Sequence, residues 1–193
     1  MKNYTSKTEI ENYLMQEIDD TFDSQLDSWM ESIEAFIDGQ TGRNFKADST
    51  AAARLFNGEN EREIFIDDCV EITKVEITSE YVATEEVLSA DYVTEPANEE
   101  RKDRICLLYG VFPAGIQNIS ITAKWGYSEV VPTDIRLAAT ILVAGIINFA
   151  SPNSSKIKSR SIGGYSVTYK DEKGWQDMEM AKAILDRYKK FTF

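Results

Sequence analysis

Asn118-Ile119-Ser120-Ile121-Thr122-Ala123-Lys124-Trp125-Gly126-Tyr127, followed after three residues by Val131-Pro132-Thr133-Asp134-Ile135, is the stretch on which the fold turns. Ile119, Ile121, Ala123 and Trp125 alternate with Ser120, Thr122 and Lys124, the two-residue repeat of a strand with one apolar and one polar face. At Pro132 the period changes. Pro132-Thr133 opens a helix, and Asp134 falls in its first turn, where the positive end of the helix dipole favours an acid. Ile135, Leu137, Ala138, Ile141, Leu142, Ala144, Ile146 and Phe149 leave that helix almost no polar face. A helix of this kind is buried on all sides or lies in a subunit interface.

Working upstream, the alternating period extends back to about Leu55. Glu63 to Asp67 carries Ile64, Phe65 and Ile66, short enough for a strand. Val70 and Ile72, then Val75 and Ile77, alternate with a slip of phase near Thr73-Lys74 that predicts a bulge or tight bend. Tyr92-Val93 precedes Pro96, Asn98 to Asp103 reads as a charged turn, and Ile105 to Tyr109 is a strongly apolar strand. Pro113-Ala114-Gly115 supplies turn chemistry. The result is an antiparallel β region of several short strands over about 55–127. The first third is helical instead. Ser6 with Glu9 fits a capping box, with Ile10, Tyr13, Leu14 and Ile18 at helical spacing after it. Phe22, Leu26, Trp29, Met30, Ile33 and Ile37 form a second stripe, which Gly39 is placed to cap.

Downstream, Ser151-Pro152-Asn153 ends the apolar helix. An extended basic arm over about 154–173 follows, with Lys156, Lys158 and Arg160 at every second position, then Ile162, Gly163-Gly164 and the alternating Tyr165, Val167 and Tyr169. A last amphipathic helix carries Met178, Ala181, Ile184, Leu185 and Tyr188. The expected fold is α+β: a helical bundle of N-terminal helices, a long apolar central helix and a C-terminal helix, with an inserted antiparallel β region. The whole of 1–193 reads as a single domain.

The chemistry the chain can perform is bounded by its composition. It has 193 residues, a formal net charge of -12 and no histidine. The missing imidazole removes the commonest general base and metal ligand. The negative balance opposes both a dedicated nucleic-acid reader and docking on anionic lipid. Two thiols, Cys69 and Cys106, do not complete a zinc site without histidine unless carboxylates or a second chain contribute, and they read as buried and inert. Asp67-Asp68 and Glu99-Glu100 are adjacent acids of the kind found on solvated turns. Gly163-Gly164 lacks the strand-to-helix context and lysine of a phosphate loop. No catalytic, cofactor-binding or metal-ligating set is expected, and hence no enzyme and no cofactor. No signal peptide is visible in Met1 to Ile10, and the apolar run Ile135 to Ala150 is too short to span a membrane. Charge is unevenly placed: Met1 to Asp38 holds two basic and ten acidic residues, whereas Ser151 to Phe193 holds nine basic and five acidic. A basic tail on an acidic body suits attraction between copies or to an acidic partner.

The arrangement resembles the head–tail connector proteins of tailed phages. Ile33-Glu34-Ala35-Phe36-Ile37 followed by Thr41-Gly42-Arg43-Asn44-Phe45 is similar to that family's helix and "TGR-x-F" opening. The strand ending Trp125-Gly126-Tyr127, then Val131-Pro132-Thr133-Asp134-Ile135, is similar to its "W/Y-G-Y, V-P-x-D-I" segment, and Ser159 to Tyr169 to its arm before the final helix. The β insert is longer here than in the most compact, all-helical members. The resemblance implies a structural virion protein, made in the bacterial host cytoplasm and resident in the neck. It implies a ring of about twelve copies between the portal protein and the tail or a stopper (head-closure) protein. DNA would pass through without specific binding, and no membrane is involved. Lys156, Lys158, Arg160, Ile162, Tyr165, Val167 and Tyr169 are the expected portal or subunit contacts. Two other readings stay open on sequence alone: a small carboxylate-based hydrolase, and a cytoplasmic protein-binding module.

Overall fold

The computed structural model describes residues 2–79, 82–150, 158–162, 165–169 and 172–190, with only the backbone described for residues 79, 82, 83, 149, 150, 158–162, 165–169 and 172–175. The chain divides into two compact units, Asn44–Val130 on the one hand and Met1–Arg43 with Val131–Phe193 on the other.

Asn44–Val130 is an antiparallel sheet unit. Its strands are β1 (Ala52–Gly58), β2 (Glu63–Ser79), β3 (Val82–Glu86), β4 (Tyr92–Glu95), β5 (Lys102–Leu107) and β6 (Gly115–Trp125). They are ordered β1-β6-β2-β5-β4, with β3 on β2. β6 buries Ile119, Ile121, Ala123 and Trp125, the face its alternation predicts. The segments from Glu63 to Asp67 and from Val70 to Ile77 are one strand rather than two. β2 pairs with β5 through its first part and with β6 through its second. Register shifts between Phe65 and Cys69, Cys69 and Glu71, and Ile72 and Lys74 bend it between the two partners. The last of these is the slip predicted near Thr73-Lys74. The sheet thereby encloses a core of its own, including Ile64, Ile66, Cys69, Val75, Ile105, Leu107, Phe112, Ile121 and Trp125. Asp67-Asp68 lies inside this strand and not on a solvated turn, with Asp68 buried.

The other unit contains α1 (Lys7–Leu14), α2 (Asp23–Thr41), α3 (Thr133–Ala150) and α4 (Glu172–Arg187), together with β7 (Lys158–Ile162) and β8 (Tyr165–Tyr169). Ser6 caps α1, its hydroxyl accepting from the Glu9 amide, as the capping box predicts. Gly39 does not end α2. The helix continues to Thr41 and is closed by Gly42 at φ 68°, whose N–H donates to the Asp38 carbonyl at 2.8 Å; the left-handed conformation needed there is the one glycine adopts at low cost. The buried stripe of α2 is Leu26, Met30, Ile33 and Ile37. Ahead of α1, the backbone amides of Lys2 and Tyr4 donate to Glu34 at 2.7 and 3.1 Å, and Tyr4 Oη donates to Asp38 at 2.6 Å. These bonds explain why an acid is buried on α2. α3 lies against α1, α2, α4 and β8.

The expected helical bundle with a β insertion is corrected by this architecture. The sheet has six strands and an interior that its own side chains fill, so it is a folded unit in its own right and not an ornament on helices. The long apolar helix is corrected as well. α3 carries Asp134, Arg136 and Thr140 in side-chain bonds: Tyr188 Oη donates to Asp134 at 2.9 Å, Arg136 pairs with Glu9, and Thr140 bonds Thr5 at 2.7 Å. Among the described residues no helix is long and apolar enough to cross a membrane.

Candidate assembly interface

β7 and β8 form an antiparallel hairpin beside α3 and α4. Its register pairs Lys158 with Tyr169, Arg160 with Val167 and Ile162 with Tyr165. Residues directly opposite share a face of the ladder, and so do residues two apart along a strand. Six of the seven expected contact residues therefore occupy one face of one hairpin. Ser159, Ser161, Ser166 and Thr168 take the other. Lys156 lies outside the described residues. That face carries two cationic and four apolar or aromatic positions.

The sheet unit has the opposite character. Asn44–Val130 contains eight basic and seventeen acidic residues, and each of the eight basic side chains is held within the unit. Arg54 pairs with Asp67 at 2.7 Å, Lys74 with Glu76 at 2.7 Å, Arg104 with Glu63 at 2.9 Å and Lys124 with Glu71 at 2.6 Å. Arg62 donates to the carbonyls of Leu107 and Leu108 at 2.7 and 2.6 Å, Lys102 to that of Pro96 at 2.6 Å, and Lys46 to that of Glu129. Arg101 serves three acids: Asp68 at 3.3 Å, Glu99 at 3.5 Å and Asp103. Its guanidinium also lies 5.6 Å from the centre of the Tyr127 ring. The Gly126 amide meanwhile donates to the Asp68 carbonyl at 2.7 Å. Asp68 thus anchors the Trp-Gly-Tyr segment through its carbonyl and through Arg101.

Three connections of the sheet meet through main-chain bonds. Phe112 donates to the Glu61 carbonyl at 2.8 Å, Leu107 to Arg62 at 2.9 Å, Leu108 to Asp91 at 2.8 Å, and Asp91 to Leu88 at 2.9 Å. The cluster exposes Leu88, Leu108, Tyr109 and Val111, with Tyr109 82% accessible, alongside the exposed acids Glu59, Glu61 and Asp91. Sequence reasoning missed this surface. The signal was present in apolar residues lying on turns rather than in strand phase, where burial by the sheet does not reach them.

Burial pushes the Cys69 thiol up to about 12 and also raises that of Cys106, away from the nucleophilic thiolate form. Among the described residues no group of three or more Cys, Asp or Glu side chains is arranged to hold a metal ion.

The profile of the Head completion protein family matches residues 4–191. The chain belongs to the head completion protein family. It is accordingly a structural component of the virion, with the role of a head–tail connector. No curated protein matches it in sequence. Among solved structures it is similar to a chain in the neck of an empty gene transfer agent (GTA) particle computed with C6 symmetry, with a TM-score of 0.62 and 13% identity over 100% of this chain and 93% of that one. It is similar as well to a chain of the native GTA virion, at TM-score 0.56 and 14% identity over 100% and 92%. A third similar chain comes from the neck of the native GTA particle computed with C12 symmetry, at TM-score 0.53 and 15% identity over 90% and 86%. At such identities the likeness is one of fold.

Proposed function

We propose that the chain works as one connector over 1–193, in a ring of about twelve copies seated between portal and tail and continuing the DNA channel. The observation that carries this reading is the family match over nearly the whole chain, residues 4–191. The C12 symmetry used for the neck of the native GTA particle supports the copy number. The hairpin face bearing Lys158, Arg160, Ile162, Tyr165, Val167 and Tyr169 is the contact made with the portal or a neighbouring copy. An acidic sheet unit with its cations internally held repels the DNA backbone, so DNA slides past without being gripped. The role requires positioning and no bond-making, which makes the chain a non-enzyme.

Imaging the purified chain by negative stain, alone and with isolated portal, tests this. Separate or weakly associating subunits are expected alone, since like charges oppose packing at low salt, and rings are expected on the portal. A stable dimer that portal leaves unchanged overturns it.

A further inference from the structure

We infer that the receptor for the hairpin face is the turn cluster of the sheet unit on the next copy, so that a basic hairpin and an acidic, apolar sheet end form the repeating head-to-tail contact. This rests on the ring reading above and names its two surfaces.

Three observations carry it. The turn cluster presents apolar groups, Tyr109 and Val111 among them, next to Glu59, Glu61 and Asp91. The basic side chain at that place, Arg62, bonds the neutral carbonyls of Leu107 and Leu108 and keeps its charge. The three acids Glu59, Glu61 and Asp91 outnumber it, so the surface attracts further cations. The hairpin register, in turn, places Lys158 and Arg160 on the same face as the apolar positions Ile162, Tyr165, Val167 and Tyr169, the complementary pattern of charge and apolar surface. Finally, Ser151 to Phe193 carries an excess of basic residues in a chain of net charge -12, so a second copy of this chain brings its own cationic ligand to each acidic site.

The two surfaces are different patches. Their contact is heterologous, and each copy uses both, which is the condition for closing a ring rather than stopping at a dimer. Charge orients and speeds the encounter, while the aromatic and aliphatic anchors lengthen its lifetime.

The experiment is a charge-swap cycle in the full chain, read as the subunit concentration needed for rings on isolated portal in negative stain. Reversing the cluster (Glu59→Lys, Glu61→Lys, Asp91→Lys) or the hairpin (Lys158→Glu, Arg160→Glu) is expected to raise that concentration about tenfold or more, and both reversals together to bring it back towards the parent. In addition, a Val111→Cys, Val167→Cys chain should give a ladder of disulfide-linked copies when oxidised on portal, with either single substitution giving none. Circular dichroism melts matching the parent confirm that these substitutions leave the fold intact. Rings formed equally well by the cluster variant, or a double reversal no better than the single ones, overturn the inference while leaving the ring reading standing. Failure of the parent chain to form rings overturns both.

Discussion

Trp125→Ala is the substitution whose cost follows most directly from the structure. The side chain is 1% exposed in the sheet core. Its indole N–H donates to the Ala52 carbonyl at 2.7 Å, the Phe56 ring centre lies 5.8 Å away, and the Arg54 guanidinium sits 4.5 Å from the ring centre. Deleting a buried ring of this size costs about 3–5 kcal/mol, because the lost transfer energy adds to that of the cavity left behind. The hydrogen bond accounts for about 1 kcal/mol of that loss, since the freed Ala52 carbonyl belongs to an exposed strand and turns to water. Trp125→Phe, which keeps most of the buried ring and loses the N–H, should therefore cost much less than the alanine. Urea unfolding followed by far-ultraviolet circular dichroism measures both, with equal slopes required before the midpoints are compared. An alanine variant within about 1 kcal/mol of the parent, or a phenylalanine variant as damaged as the alanine, refutes the reasoning.

Other outcomes follow from neighbouring features. Gly126→Ala should lower the unfolding free energy measured in urea by about 2–3 kcal/mol: φ is +141°, and a Cβ there would lie 2.4 Å from Ala47 Cα and 2.7 Å from Ala47 N, both backbone atoms. Arg101→Met should cost about 3 kcal/mol in the same assay, because it removes the guanidinium that faces Asp68, Asp103 and Glu99 beneath the Tyr127 ring. Burial raises the Cys69 thiol from 9.0 to about 12. Above pH 9 the folded chain keeps a proton that the unfolded chain loses, so stability falls by up to about 1.4 kcal/mol per pH unit; Cys69→Ala should lose stability less steeply between pH 8.5 and 10.5. Lys156→Glu, Lys158→Glu and Arg160→Glu together should leave the melt unchanged yet block joining of filled heads to tails, and a normal yield of infectious particles from that variant would remove the arm's charge from assembly.

Much of the local structure is legible in the residues because it is set by near neighbours. The Ser6 cap, the stripe of α2 from Leu26 to Ile37 and the inward row of β6 from Ile119 to Trp125 each follow from a single period or a three-residue motif. The same parity argument that predicts alternation in Tyr165, Val167 and Tyr169 places six of the expected contact residues on one hairpin face once the pairing is known. What the sequence misassigns lies where distant segments meet. Asp67-Asp68 looks like a solvated pair until Arg101, more than thirty residues away, arrives to neutralise Asp68. Gly39 looks like a helix end because glycine permits one, but the choice falls to Gly42, where the chain actually turns left-handed.

Sequence alone determined the alternation of periods, the acidic body with its basic tail, the absence of histidine chemistry and the motifs that resemble head–tail connectors. Those are properties of neighbouring residues and of sums over the chain. The tertiary structure decided that the β region is a six-stranded unit with its own core, that β2 passes from pairing with β5 to pairing with β6, and that three turns gather Leu88, Tyr109 and Val111 beside exposed acids. Strand order and the meeting of turns depend on pairings between residues far apart in sequence. No local pattern encodes such pairings, because the hydrogen bonds of a strand edge are the same whichever strand they join.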